Sequence, residues 1–373
     1  MRTKLQDIKR CVIKIGSAVL TSNGRGINYL AINHWVDQIS QLKSAGIEVV
    51  IVSSGSVAEG MARLGWNKRP HALHELQAAA SVGQMGLIQA YEQSFKKLNF
   101  TTAQVLLTHD DLVDRTRYLN ARVTIQTLLG LSVVPIINEN DVVANEELRV
   151  GDNDTLAAMV ANLIEADLLI ILTDQKGFFS ADPRKTPDAV LFSEISVADE
   201  RLDKAAGSTG GVLGRGGMLT KLQAARIAAR SGTTTAIAPG LQDNIILDLI
   251  GGENIGSLLV ADDEPISARK RWLSAKLHIK GQLLLDAGAV RGLKNNGGSL
   301  LAIGVSGLKG EFKRGELVAC LDIDGVEIAR GLVNYDSEEI AKIKQKKSSE
   351  IEAILGFIEE PELIHRDNLA LAL

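Results

Sequence analysis

Two polar clusters hold the side chains of this sequence that are best suited to binding chemistry: 138–141 (Asn-Glu-Asn-Asp) and 151–154 (Gly-Asp-Asn-Asp). An apolar run at 133–137 leads directly into the first cluster. Ligands of open α/β sheets bind beyond the carboxyl ends of the strands. Carboxylates and amides placed there suit a small zwitterion or a Mg²⁺–phosphate group. Asn, Asp and Gly also make ordinary turns, which is the alternative for either cluster alone. The pair of clusters favours a binding site.

Two lysines are placed to meet phosphate groups. Lys14 lies at the end of the first apolar strand, just before Gly16, although a lysine there could also extend its ammonium to solvent. Residues 207–217 contain six glycines and lead into a helix with Lys221 in its first turn. Such a loop presents unpaired N–H groups and a positive dipole end to an anion. A flexible linker is the alternative, and the residue order is neither a Walker A loop nor a Rossmann fingerprint.

A metal centre built from protein side chains is not expected. His71 and His74 would share one face of a helix, but no further ligand completes a zinc site. The chain also has only two cysteines, Cys11 and Cys320, which suits a reducing compartment better than a disulfide framework.

Strand and helix patterns alternate over the first two-thirds of the chain. Short β-branched and aliphatic runs predict strands at 11–15, 48–52, 103–107, 133–137, 168–172 and 234–238. Helical spacing predicts helices at 72–97, 116–129, 155–166 and 219–230, after an earlier one that ends before Gly46. Continuous apolar strands with intervening helices are typical of a mainly parallel sheet covered on both faces. The two lysines and the polar clusters should therefore meet at one edge of that sheet.

A second, smaller domain should follow a charge-dense connector near residue 262. From 278 to 357, strand-like segments separated by glycines predict a small, mostly β barrel. We therefore expect a catalytic domain at 1–262, a linker at 263–277, the small domain at 278–357 and a C-terminal tail at 358–373.

Composition narrows the functional classes. The 373 residues are 45% hydrophobic and 23% charged with a net charge of −4, which indicates a globular protein without a global preference for nucleic acid or anionic membranes. No apolar run is long enough to span a bilayer and no signal peptide is visible, so we expect a cytoplasmic protein that is not in a membrane.

These motifs resemble those of the amino-acid kinase family. The resemblance covers nearly the whole chain and rests on 12–17, 51–55, 137–141, 150–154, 172–177, 181–184 and 216–221. It implies an α/β fold, an amino-acid-kinase-like sandwich with a mainly parallel central sheet. The C-terminal region resembles a PUA domain, a small and mostly β barrel.

The resemblance implies transfer of the γ-phosphoryl group of ATP, with Mg²⁺, to the side-chain carboxylate of L-glutamate, the first step toward proline. A free glutamate side chain has a pKa of about 4.3, so it is already ionised at neutral pH and needs no general base. By family position, the catalytic residues are Lys14, Lys221 and Asp154. The glutamate-binding residues are Ser54, Gly55, Asp141 and Asn153. The nucleotide site is formed by Lys14, Thr173, Asp174, Arg215, Gly216, Gly217, Met218, Leu219, Thr220 and Lys221.

One departure from the family pattern concerns the nucleotide loop. Arg215 and Leu219 stand where many members have small or hydroxyl residues. The Leu219 side chain cannot donate a hydrogen bond, so any contact expected there must come from its main chain.

Other readings stay open. The acceptor could be aspartate, acetylglutamate, carbamate or a nucleoside monophosphate, although the carboxylates at 138–141 favour a free amino acid. RNA binding through the small domain is disfavoured, because residues 278–357 carry eleven basic and eleven acidic side chains. The family further implies feedback inhibition by proline and a homo-oligomer, either a dimer or a tetramer.

Overall fold

The computed structural model describes residues 2–21, 26–144, 153–208, 217–261, 279–296, 298–358 and 360–371. The chain divides into two compact units, one comprising Met1–Val113 and Asn120–Pro265 and the other Asp114–Leu119 and Ile266–Leu373. Among the described residues, none of the helices has the length and hydropathy needed to cross a membrane.

The first unit is built on a sheet that, within the described residues, has eight strands. They are β1 (Arg10–Ile15), β2 (Glu48–Ser53), β3 (Thr102–Leu107), β4 (Val134–Glu139), β5 (Leu168–Thr173), β6 (Glu194–Ser196), β7 (Thr234–Pro239) and β8 (Ser257–Val260). The helices along this part of the chain are α1 (Ser17–Leu20), α2 (Tyr29–Ser44), α3 (Ser56–Arg63), α4 (Leu73–Lys96), α5 (His109–Val113), α6 (Arg115–Gly130), α7 (Asn153–Ile164), α8 (Arg201–Ser208), α9 (Met218–Ala229) and α10 (Ile245–Ile250).

The strand order is β3-β4-β2-β1-β5-β7-β8-β6. Neighbours from β3 to β7 are parallel, whereas β8 runs antiparallel to β7 and β6 runs parallel to β8. The central strands β1, β2 and β5 are almost completely buried. Burial on both faces is what continuous apolar parallel strands require, because helices cover each side.

Alternation along β1 places Lys14 on one particular face of the sheet. Cys11, Ile13 and Ile15 belong to the hydrophobic core that also contains residues of α2, α4 and α10. Successive side chains of a strand point to opposite faces. Lys14 therefore lies on the other face, which α7 and α9 cover.

The carboxyl ends of four adjacent parallel strands form a row in the order β4, β2, β1, β5. Neighbouring strands are about 4.8 Å apart. Polar residues stand at each of these ends: Asn138 on β4, Ser54 after β2, Lys14 on β1 and Thr173 on β5. The row brings together groups that are far apart in sequence.

Two glycines allow α3 and α4 to pack with their backbones in contact. A Cβ added to Gly60 would lie 1.7 Å from the main-chain oxygen of Ala79. A Cβ added to Gly83 would lie 1.9 Å from the main-chain oxygen of Ser56. No side chain fits at either position, so this packing holds α4 against the start of α3.

The second unit contains a separate sheet with its own core. Its strands are β9 (Gly281–Leu285), β10 (Val305–Lys309), β11 (Leu317–Leu321), β12 (Glu327–Leu332) and β13 (Leu369–Leu371), in the order β10-β9-β11-β12-β13. Its helices are α11 (Ala287–Asn296), α12 (Ser337–Ile343) and α13 (Ile351–Leu355). Phe312, Tyr335 and Ile364 are among the residues buried in its core.

The predicted fold class is confirmed: a mainly parallel α/β sheet lies between helices, and a strand-rich unit follows. Element ends differ slightly, since the strand predicted at 133–137 is Val134–Glu139 and the helix predicted at 155–166 begins at Asn153. The domain limits stay a prediction. The segment 358–373, expected to be a tail, contributes β13, which pairs with β12.

Candidate functional site

A single buried carboxylate, that of Asp154, joins the two lysines predicted from the sequence. Lys14 Nζ lies 2.5 Å from its Oδ1, and Lys221 Nζ lies 3.1 Å from its Oδ2. Asp154 is in the first turn of α7, Lys14 is on β1 and Lys221 is in the first turns of α9. The three residues are at most 5% exposed. Two positive charges are thus fixed side by side at the carboxyl edge of the sheet.

The two ammonium groups of this trio keep the Asp154 carboxylate ionised. Burial alone would raise the pKa of Asp154, but the Lys14 and Lys221 ammonium groups hold it well below its usual range. Burial lowers the pKa of Lys221, the Asp154 carboxylate opposes this shift, and the charge of Lys14 adds to it. The carboxylate therefore offsets the repulsion between two ammonium groups that would otherwise be unfavourable so close together.

The start of α9 offers main-chain donors beside Lys221. Gly217 is the N-cap, and no side chain within the described residues caps the helix there. The Thr220 hydroxyl lies 2.9 Å from Asp154 Oδ2 and 2.8 Å from the main-chain oxygen of Gly217. First-turn N–H groups without partners and the positive end of the helix dipole form an anion-binding arrangement. A phosphate group is the anion that fits next to two lysines.

Gly16 brings the chain after β1 close to the lysine pair. Its N–H donates to the main-chain oxygen of Leu172 at 3.1 Å. A Cβ at this position would lie 3.1 Å from that oxygen and 3.6 Å from Lys14 Nζ. A side chain at Gly16 would therefore crowd the main-chain oxygen of Leu172 and contact the ammonium group.

Asn153, just before Asp154, connects the lysine pair to the ends of β2 and β4. Its Nδ2 lies 2.9 Å from the main-chain oxygen of Ser53, 3.0 Å from Ser54 Oγ and 3.0 Å from Asn138 Oδ1. Asn138 Nδ2 in turn donates to Gln84 Oε1 at 2.7 Å. Asn153 Oδ1 and Gln84 Nε2 are buried and have no hydrogen-bond partner among the described residues. One unpaired acceptor and one unpaired donor suit a ligand that carries both kinds of group.

Asp141 lies in the loop after β4, and its carboxylate is buried. Ser56, the first residue of α3, donates to Asp141 Oδ2 at 3.2 Å. Burial raises the pKa of Asp141 to about 6, although the Ser56 hydrogen bond and the charge of Arg69 act in the opposite direction. A buried carboxylate of this kind is suited to an ammonium group, which would lower its pKa on binding.

Thr173 and Asp174 follow β5 on the other side of Lys14. The Thr173 hydroxyl donates to Asp174 Oδ1 at 3.1 Å, and Gln175 Nε2 donates to Asp174 Oδ2 at 3.2 Å. The charge of Asp174 also acts on the pKa of Lys221. These residues therefore belong to the same site as the lysine pair.

The predicted site residues thus converge where the structure describes them. Lys14, Asp154, Lys221 and Thr220 form one cluster, and Ser54, Asn153 and Asp141 lie along the strand ends beside it. Gly55 adopts a left-handed φ of 94° and is the N-cap of α3. Met218 is half-buried and Leu219 is exposed at the start of α9. Arg215 and Gly216 lie outside the described residues, as do Gly151 and Asp152 of the second polar cluster.

Sequence reasoning missed the contributions of Ser56 and Gln84. Ser56 has a weak signal, because it follows a polar loop at a strand end. Gln84 has almost none, since a glutamine in the middle of a 24-residue helix is ordinary. Its burial at 9% exposure and its bond to Asn138 become visible only once α4 has packed against α3.

A protein-built metal centre does not occur in the described part of the chain. No group of three His, Cys, Asp or Glu side chains there could hold a metal ion. Mg²⁺ commonly keeps several waters and binds through one or two carboxylates plus substrate phosphates. The residues present therefore fit a magnesium ion that arrives on a nucleotide, with Asp174 as a second carboxylate, besides Asp154, whose charge acts on Lys221.

The fold and the paired lysines define a class. The model of the amino acid kinase family matches residues 9–238, and the model of the PUA domain matches residues 281–355. The chain belongs to the amino acid kinase family. It is a phosphotransferase, for which ATP is the phosphoryl donor.

Among curated proteins the chain is similar to glutamate 5-kinases along its whole length. It is 57% identical to that of Methylococcus capsulatus over 371 residues, covering 100% of this chain and 99% of the relative. It is 57% identical to that of Thioalkalivibrio sulfidiphilus over 370 residues, covering 99% of each. Among solved structures, a UMP kinase from Bacillus anthracis matches with a TM-score of 0.48 and 16% identity over 69% of this chain and 97% of that one.

Proposed function

We propose that this protein transfers the γ-phosphoryl group of ATP to the side-chain carboxylate of L-glutamate. The products are L-glutamyl 5-phosphate and ADP, and the reaction is the first step of proline biosynthesis. The observation that carries the proposal is the buried Lys14–Asp154–Lys221 cluster at the end of a row of amino-acid-binding groups. The full-length identity to glutamate 5-kinases supports the same acceptor.

Lys14 and Lys221 act as the phosphoryl clamp. An oxygen of the glutamate side chain forms a bond to the γ-phosphorus while the bond to the leaving β-phosphate oxygen breaks. The reacting carboxylate is already ionised at neutral pH, so no proton has to be moved. Catalysis then consists of positioning and of stabilising negative charge on the transferring group. Two ammonium groups held by one carboxylate are suited to that task.

Asp154 is the positioning residue for both lysines. Without its carboxylate the two buried ammonium groups would repel each other and separate. Its bond to the Thr220 hydroxyl couples the same carboxylate to the start of α9, where phosphate oxygens would accept from the N–H groups. Mg²⁺ bound with ATP would offset the negative charge of the phosphates, and Asp174 would help to hold it.

The nucleotide lies along β5 and the start of α9 in this proposal. Thr173, Asp174 and the segment 215–221 line it, and Leu219 contributes only its main chain because its side chain is exposed and apolar. The acceptor lies on the other side of Lys14, where Ser54, Gly55, Asn153 and Asp141 face it. Asp141 binds the α-ammonium group, since its buried carboxylate follows β4, two strands from Lys14.

Hydroxylamine trapping tests the reaction and the acceptor together. Full-length protein is incubated with Mg²⁺–ATP and L-glutamate, L-aspartate or N-acetyl-L-glutamate, and the acyl hydroxamate is measured. Hydroxamate from L-glutamate alone is expected. Absence of product from all three would reject these three carboxylates as acceptors and would favour carbamate, a nucleoside monophosphate or a binding function instead.

Regulation and assembly are further parts of the proposal. We expect proline to inhibit by competing for the glutamate site and the chain to form a dimer or tetramer. RNA binding is not expected to be the main activity. The cytoplasmic location also stays a prediction.

A further inference from the structure

Gln84 is a buried side chain of the acceptor region to which the reaction as described gives no role. It lies on α4 and is 9% exposed. Its Oε1 accepts from Asn138 Nδ2 at 2.7 Å, while its Nε2 has no hydrogen-bond partner among the described residues. A buried donor without an acceptor is unfavourable, so this atom is a candidate for binding a ligand.

Two main-chain groups fix which end of the Gln84 amide is free. The oxygen of Ser53 can only accept, so the group of Asn153 that faces it must be Nδ2. The N–H of Glu139 can only donate, and it lies 2.9 Å from Asn138 Oδ1. Asn138 therefore donates from Nδ2 to Gln84, and Gln84 must accept this hydrogen bond with Oε1. The free group is a donor, independent of how a side-chain amide is first assigned.

The row of strand ends places this donor at the amino-acid end of the acceptor. Lys14 is on β1, whereas Gln84 contacts Asn138 on β4, two strands away or about 10 Å. The two carboxyl carbons of extended glutamate are roughly 5 Å apart. With a hydrogen bond at each end, a molecule of that length spans the distance from the lysine clamp to the β4 side.

The neighbours of Gln84 decide which carboxylate it meets. Gly83 packs against the main-chain oxygen of Ser56, and Ser56 donates to Asp141, the proposed partner of the α-ammonium. The α-carboxylate is bonded to the same carbon as that ammonium group. We propose that Gln84 Nε2 donates a hydrogen bond to the α-carboxylate of bound L-glutamate and so helps to determine acceptor specificity. This inference rests on the proposed function.

The sharpest variant is Gln84→Glu. It keeps an oxygen to accept from Asn138 Nδ2 and replaces only the free donor by an acceptor. At pH 8, well above the usual glutamate pKa of about 4.3, the new carboxylate repels an α-carboxylate. It can accept from the α-carboxamide of L-isoglutamine, which is otherwise the same molecule. Gln89→Glu is the matched control, because Gln89 is exposed on the same helix.

Steady-state kinetics by hydroxamate formation are measured with both acceptors for the wild type and the two variants, together with the KM for ATP. For Gln84→Glu we expect the glutamate KM to rise at least tenfold. The ratio of kcat/KM for glutamate to that for L-isoglutamine should fall at least tenfold, with the KM for ATP within twofold. Gln89→Glu should match the wild type.

Two results would overturn the assignment. One is a glutamate KM within twofold of wild type in Gln84→Glu. The other is an unchanged ratio of kcat/KM for glutamate to that for L-isoglutamine. Both acceptors would then be affected equally, and Gln84 would have only a structural role. If Gln84→Glu loses all activity, Gln84→Met is measured in its place. This variant removes the donor without adding charge and should raise the glutamate KM with the KM for ATP unchanged. If the wild type makes no glutamyl hydroxamate, the proposed function fails first and this inference with it.

Discussion

The ammonium groups of Lys14 and Lys221 are bound to the two oxygens of one carboxylate, that of Asp154, at 2.5 Å and 3.1 Å. One lysine comes from a central strand and the other from the start of a helix. Neither position would be favourable for a buried cation without the shared anion. The proposed phosphoryl clamp therefore depends on Asp154, and replacing each of the three residues should have a different effect.

Replacing either lysine should affect turnover more than acceptor binding. We expect Lys14→Ala and Lys221→Ala each to lower kcat about 100-fold or more, because each removes a charge aimed at the transferring group. The glutamate KM should change far less. Hydroxamate kinetics measure both quantities. The exposed Lys97 offers a control as Lys97→Ala, and near-normal turnover in either clamp variant would refute the clamp.

Asp154→Asn should cost stability as well as activity. It leaves two buried ammonium groups without an anion, a change expected to lower the unfolding free energy by about 3 kcal/mol at pH 7. The native pKa of Asp154 lies below its unfolded value, so its stabilisation is present above the unfolded pKa and is lost as pH falls through the native one. Urea denaturation of both proteins at pH 7 measures the difference. A difference below about 1 kcal/mol would contradict the shared-anion role.

Glutamate binding should weaken on acidification through the pKa of Asp141. With that pKa raised to about 6 by burial, the carboxylate is mostly ionised at pH 7.5 and mostly protonated at pH 5. A protonated carboxyl cannot pair with the α-ammonium, so the glutamate KM should rise as pH falls across this range. Asp141→Asn should have a high KM that varies little with pH. A KM profile in that variant with the same slope as wild type would remove Asp141 from the binding step.

Replacing Asp141 by Asn should also stabilise the protein when no glutamate is bound. A carboxyl whose native pKa is raised binds its proton more tightly when folded, so its ionised form opposes folding above that pKa. Asp141→Asn removes this cost and should raise the unfolding free energy at pH 7 by up to about 3 kcal/mol. Thermal denaturation at pH 7 and pH 5 tests it, since the gain should shrink at the lower pH.

Gly83→Ala should disrupt the contact between α3 and α4. The added methyl group would lie 1.9 Å from the main-chain oxygen of Ser56, so the helices must separate, which should lower the unfolding free energy by about 1–3 kcal/mol. Ser56 and Gln84 would move with them, and the glutamate KM should rise. Gly130→Ala is the control, because a Cβ there meets no atom within 4 Å. Equal unfolding free energies for the two variants would show that the contact can relax.

The sequence by itself determined which strand ends bear the polar residues of the proposed site. Apolar runs followed by Lys14, Ser54, Asp141 and Thr173 predicted a parallel sheet whose carboxyl edge holds the site. Residue type and local order carry this information, because a parallel sheet places all its carboxyl ends at one edge. The lysines and the family resemblance followed from the same local patterns.

Only the tertiary structure decided which of these groups touch. That Asp154 is the anion between the lysines depends on α7 lying against β1 and on α9 lying against α7. That Gln84 completes the chain of amides depends on Gly60 and Gly83 letting α3 and α4 meet. Side-chain partners across helices and strands are set by packing in three dimensions, which local sequence patterns do not encode. For this reason the lysines were predictable, whereas the role proposed for Gln84 was not.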